Sequence, residues 1–149
     1  MRSAPLFLAA LGGLAACSPG SDVPAAERGV AAFHAALDAE RYAAIYAASS
    51  AEMKRTTSAE DLSRLLAAVH GRFGRFRAGS TRSWNDSRTT SGRFVTLDYT
   101  ATYERGAVAE NFVFRIDDGQ VALAGYHVDP RSMIDVEPEP PPAEPSLNH

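Results

Sequence analysis

Apolar residues recur at helical spacing early in the chain and at strand spacing later. Val30, Phe33 and Leu37 stand three and four residues apart, with alanines filling the same face, which predicts an amphipathic helix. Tyr42, Ile45 and Tyr46 repeat the pattern over a shorter segment. Ser49 followed by Glu52 fits a capping box for a further turn. The clearest helix comes next. Either Thr57 and Glu60 form its capping box, or Ser58 is its N-cap with Asp61 in the first turn. Leu62, Leu65, Leu66 and Val69 make one apolar stripe, His70 suits the negative end of the dipole, and Gly71 is the expected stop.

After Gly71 the period changes to two. Val95, Leu97, Tyr99, Ala101 and Tyr103 alternate with Thr96, Asp98, Thr100 and Thr102, as in a strand with one face buried. Arg105-Gly106 reads as a turn, and Val108, Phe112, Phe114 and Ile116 lie in phase on a second strand. Asp117-Asp118-Gly119 is a hairpin turn leading to a third strand from Val121 to Val128. A weaker strand covers part of Phe76 to Trp84, followed by a polar loop from Asn85 to Gly92. Helices first and an antiparallel meander afterwards define an α+β domain, with the N-terminal helices packed on the sheet.

The two ends belong to neither pattern. Arg2 precedes an uncharged run from Ala4 to Leu14, the length of a signal-peptide core and too short to span a bilayer. Leu14-Ala15-Ala16-Cys17 follows, and resembles the lipobox of bacterial lipoproteins: an aliphatic residue, two small ones and an obligatory cysteine. That resemblance implies cleavage before Cys17 and acylation of its thiol by palmitate-type chains. Cys17 is the sole cysteine, so no intramolecular disulfide can form, and lipidation accounts for a lone thiol in an exported chain. Ser18 stands where an aspartate would favour inner-membrane retention, so the outer membrane, facing the periplasm, is the expected location. The divisions are therefore a signal peptide over 1–16, a lipid-anchored tether over 17–24, an α+β domain over 25–128 and an acidic, Pro-rich, disordered tail over 129–149.

Charge narrows the partners. The chain carries 15 Lys and Arg against 18 Asp and Glu, a net −3, and the tail from Asp129, with five acids against Arg131, accounts for all of the excess. The domain itself is close to neutral, so no global field calls for nucleic acid. Its roughly 105 residues suffice for one modest core.

The order of elements resembles the nuclear transport factor 2-like, or cystatin-like, fold, and in particular small envelope lipoproteins of that fold with no assigned function. The resemblance rests on the segment Ala35 to Tyr42, on Leu97 with Tyr99, on Glu110-Asn111-Phe112, and on the closing Gly125-Tyr126-His127-Val128. It implies a curved sheet wrapped around helices. Enzymes and non-enzymes share this fold, so it decides nothing about activity.

Candidate chemistry is sparse. His34, His70, His127 and His149 fit no ligand spacing, so no metal or other cofactor is expected, and His34 reads as a helix-flank residue. No nucleophile elbow is present, and Gly71-Arg72-Phe73-Gly74 lacks the ending of a phosphate loop. Glu110 shares the apolar face of its strand with Phe112 and Phe114. In related folds a pocket carboxylate works with a tyrosine in proton transfer, and Tyr99, Tyr103 and Tyr126 are available. The plainer expectation, preferred here, is that Glu110 lies near a strand end open to water or pairs with an arginine such as Arg105. Asp98, on the Thr-rich face, is expected to be solvated.

Seven arginines lie between Leu62 and Leu97 against the single acid Asp86, interleaved with Phe73, Phe76 and Trp84. Arg72, Arg75, Arg77 and Arg82 form a candidate anion-facing patch for lipid or polysaccharide phosphates. The plainer reading sends the aromatics into the core and leaves arginine stems along the sheet. The first functional expectation is thus a non-catalytic module binding a small apolar ligand or an envelope protein. An enzyme using a pocket carboxylate and tyrosine is the alternative, and an assembly protein acting through the arginines is the third.

Overall fold

A computed structural model describes residues 20–129. The signal segment, Leu14, Ala15, Ala16 and Cys17 of the lipobox, and the tail beyond Asp129 lie outside the described residues. The element order is α1 (Val23–Asp38), α2 (Tyr42–Ala48), α3 (Ala51–Thr56), α4 (Ala59–Phe73), β1 (Phe76–Thr89), β2 (Gly92–Tyr103), β3 (Gly106–Asp117) and β4 (Gln120–Val128). The four strands form an open antiparallel sheet in the order β1-β2-β3-β4. Helices first and a meander afterwards give the α+β class that the two periodicities predict. Among the described residues, no helix is long and apolar enough to cross a membrane.

The alternation in β2 and β3 is the main builder of the core. Val95, Leu97, Ala101 and Tyr103 are buried on β2, and Val108, Phe112, Phe114 and Ile116 on β3. Pairing runs from Arg93↔Ile116 to Tyr103↔Gly106, so the two apolar rows stand side by side on one face. Helix α1 lays Ala26, Val30, Phe33 and Leu37 against that face. It comes very close at Gly29, where an added Cβ would stand 2.9 Å from the Phe114 ring and 3.0 Å from Val121. Only a residue without a side chain lets the helix settle there.

Several boundaries differ from the sequence expectation, each for an identifiable reason. Helix α1 begins at Val23, inside the stretch expected to be tether, with Pro24 in its first turn, where a missing N–H costs nothing. Ser50, not Ser49, is the residue before α3; the Ser49 hydroxyl turns back to the Ile45 carbonyl at 2.8 Å. For α4, Ser58 is the cap, its oxygen accepting from the Asp61 N–H at 3.1 Å. Helix α4 does not stop at Gly71. It runs on to Phe73, fully buried, and ends at Gly74 with φ +77°. Burying a phenylalanine contributes about 2 kcal/mol, more than the roughly 1 kcal/mol that an internal glycine costs.

Within the expected polar loop from Asn85 to Gly92, Asn85 to Thr89 are instead the end of β1, joined to β2 at Gly92 by the turn at Thr90-Ser91. Its residues pair in register, Asn85↔Thr96 through Thr89↔Gly92. As an edge strand largely uncovered by helices, β1 has little apolar alternation to display. Register shifts interrupt it between Phe76 and Ala78 and between Thr81 and Ser83.

Candidate functional site

Glu110 is the centre of a buried polar cluster. It stands on β3 opposite Tyr99 of β2 and Val128 of β4, so the sheet continues on both sides of it. The Asp129 N–H donates to the Ala109 carbonyl at 3.0 Å, extending the pairing beyond β4. The expected opening to water at a strand end is therefore absent, and the Glu110 side chain is 0% exposed. Nor does Arg105 pair with it: that guanidinium donates to the carbonyls of Gly71 and Arg72 at 2.6 and 2.7 Å, at the end of α4.

Three donors from the protein itself meet the carboxylate. The hydroxyls of Tyr103 and Tyr126 each donate to Oε1 at 2.7 Å, and Nε2 of His34 lies 2.9 Å from Oε2. The expectation of His34 as a helix-flank residue is corrected: it is 2% exposed and stacked on Phe76, ring centroids 3.9 Å apart. Its position carried a signal, since it follows Val30 by four residues and precedes Leu37 by three. Nδ1 of His34 is buried without a hydrogen-bond partner. A proton on Nε2 lets the ring donate to the carboxylate, whose oxygens can only accept when ionised.

The cluster ties one helix to three strands, with His34 on α1, Tyr103 on β2, Glu110 on β3 and Tyr126 on β4. Tyr99, the other sequence candidate, is half-buried near the His34 ring, at 5.6 Å; among the described residues, the hydroxyls that reach the carboxylate are those of Tyr103 and Tyr126. A carboxylate acting on a substrate must reach it. Here the side chain is fully buried, and both of its oxygens are hydrogen-bonded by His34, Tyr103 and Tyr126.

Burial, then the Glu110 charge, pushes the Tyr103 hydroxyl far above the ordinary tyrosine value of 10.0. Tyr126 is raised for the same two reasons in the same order. Both shifts act in the same direction on stability. Below pH 10 each tyrosine is protonated folded and unfolded, and stability is unaffected. Above it the unfolded chain ionises while the folded one does not, so stability falls by up to roughly 1.4 kcal/mol per pH unit for each. Urea midpoints measured from about pH 9 to 11 should drop along this slope, and Tyr126→Phe should remove one tyrosine's share. An unchanged slope in that variant would refute the assignment.

The second feature is an apolar cleft of about 300 Å³ between α1, α2 and the β3–β4 hairpin. Ala32, Phe33 and Ala36 line one wall, Ala44, Ile45 and Ala48 the other, and Phe114, Val121 and Leu123 the floor, with Gly29 beside them. Facing alanines keep the two helices from filling the space between them. Among the described residues, Arg41 is the only polar side chain in the lining. A wider depression on the outer face of the sheet is polar and open, lined by Arg82, Ser83, Asp98, Asn111 and His127 among others. Asp98 is exposed there, and hydrogen bonds from Ser83, at 2.5 Å, and Asn111, at 2.7 Å, hold its carboxyl below the usual range.

Of the arginine candidates, Arg75 and Arg77 stand with Arg105 around Glu104, while Arg82 lies apart. Arg77 pairs with Glu104 at 2.6 Å, the Arg75 N–H donates to the same carboxylate, and Arg72 lies over the Phe73 ring. Arg82 is five residues along β1 from Arg77, roughly 16 Å at strand rise. The interleaved aromatics also part company: Phe73 is in the core, Phe76 half-buried and Trp84 49% exposed. Among the described residues, no group of three or more His, Cys, Asp or Glu side chains is placed to hold a metal ion.

Four helices followed by an open antiparallel four-stranded sheet define a small α+β domain, here with a closed polar cluster and an apolar cleft. Residues 30–126 match the model of a family described as "Protein of unknown function (DUF4019)". The chain belongs to that family. The matched span holds all four members of the polar cluster and every cleft residue except Gly29. A search of curated proteins finds no match.

Proposed function

We propose that this chain is a lipid-anchored module of the cell envelope whose cleft between α1, α2 and the β3–β4 hairpin binds a small apolar ligand, without catalysis. The cleft carries the reading. Ligand pockets begin at about 300 Å³ and are mostly apolar with few polar groups, as this one is. The closed Glu110 cluster supports a binding role over an acid–base one, since its carboxylate is spent on His34, Tyr103 and Tyr126. The element order further supports placing the domain among nuclear transport factor 2-like folds. Anchorage through acylated Cys17, on the periplasmic face of the outer membrane, rests on the lipobox and on Ser18.

The test is a neutral apolar dye, N-phenylnaphthylamine, titrated into the full chain carrying Cys17→Ser, so that no detergent competes for the cleft. Saturable brightening at one dye per chain is expected. Ala36→Phe and Ala44→Phe, which fill the cleft from opposite walls, should each weaken it at least about tenfold while the fold persists by circular dichroism. Dye binding indifferent to both substitutions would place the ligand elsewhere and defeat the proposal.

A further inference from the structure

The polar end of the cleft is a single group, and it is held in place. The turn joining α1 to α2 is closed by the Glu40 N–H donating to the Leu37 carbonyl and the Arg41 N–H to the Ala36 carbonyl, both at 2.9 Å. Glu40 adopts φ +55° in this turn. The backbone of Arg41 is thereby fixed at one end of the lining, beside Ala36 and Ala44. Its guanidinium has no hydrogen-bond or ion-pair partner among the described residues, unlike those of Arg64, Arg77, Arg93, Arg105 and Arg115. The adjacent carboxylate does not neutralise it, because Glu40 is turned towards His70, 4.0 Å away.

An apolar slot with one unpaired cation at its end has a defined complement. We infer that the ligand is a single-chain amphiphile with an anionic head, its chain in the cleft and its carboxylate or phosphate on Arg41. This rests on the proposed binding role and adds the ligand's class. One chain fits and two do not. The α1 wall from Gly29 to Ala36 is about 10 Å long at helical rise, and the volume is at the lower limit for ligand sites. Arginine presents a planar fork of donors that matches either head group with two parallel bonds. Because Arg41 is exposed, solvent and salt weaken the pairing, so it sets preference among amphiphiles while the apolar walls supply most of the affinity.

Calorimetric titration of the full chain carrying Cys17→Ser with dodecanoate, dodecyl phosphate and dodecanol tests this. An anionic head should bind about fivefold or more tighter than the alcohol, and the margin should shrink as salt is raised. Arg41→Gln should bring acid and alcohol to parity without weakening the alcohol, and Arg41→Lys should restore part of the margin. The head group that gains most tells a fatty acid from a phosphate-bearing lipid. Equal binding of all three by the unsubstituted Arg41 protein would overturn the anionic head and leave the apolar site standing. Binding of none would overturn the site as well. A margin that survives Arg41→Gln would assign the head to another group and overturn the role of Arg41.

Discussion

Replacing Glu110 with alanine is expected to cost the domain about 4 kcal/mol, the largest single-residue loss within the polar cluster. The substitution removes the acceptor of both tyrosine hydroxyls and the partner of His34 together. Those donors stay behind helix α1, with little water to replace what they lost. The methylenes of the side chain also leave a void among Phe112, Val108 and their neighbours. For a domain of this size the melting temperature should fall by roughly 20 °C. Glu110→Gln should be milder, since its carbonyl still accepts from the tyrosines. Its amide, however, must face His34 Nε2, which forces the ring proton onto the unpartnered Nδ1. Urea denaturation of the two variants decides the matter. A loss for Glu110→Ala within roughly 0.5 kcal/mol, the range of a neutral surface change, would mean that the cluster does not hold helix to sheet.

The second large effect concerns location. Cys17→Ser is expected to abolish incorporation of labelled fatty acid and to release the processed protein from the membrane fraction. A serine hydroxyl is far less nucleophilic than a thiol and does not take up the diacylglyceryl group. Each buried methylene contributes about 0.8 kcal/mol, so on the proposed anchorage the loss of the acyl chains removes the attachment they supply. Among the described residues, no helix is long and apolar enough to cross a membrane in compensation. Labelling that persists in Cys17→Ser would refute acylation at this residue. Release without loss of labelling would point to a second acylated group.

Sequence alone reached the sheet more readily than the helices' surroundings. The strict alternation from Val95 to Tyr103 and from Val108 to Ile116 fixed which side chains face inward, including Glu110. What closes over Glu110 was not legible, because it depends on where α1 lies across the sheet and on the continuation of β4 past Val128. His34 reads as a flank residue in the sequence because a helix covered by sheet and edge strand buries a broad arc, not a narrow stripe. The extent of β1 is not legible because its mostly exposed, polar residues carry no apolar period. The cleft was hidden for a related reason. Alanines on α1 and α2 read as filler on an apolar face, and only the crossing of the two helices shows that they leave space unfilled.

The interrupted, polar edge strand has a further consequence. An open sheet leaves two unpaired borders, each a template on which another chain could add a strand. The Leu123 carbonyl on β4 is taken up by the Ser50 N–H at 2.9 Å, which occupies part of one border. On the other border, the two register shifts and the exposed Arg77, Arg82 and Arg88 of β1 make a poor template for a second strand. The same irregularities that obscure β1 in the sequence thus keep this border from zipping onto a second chain.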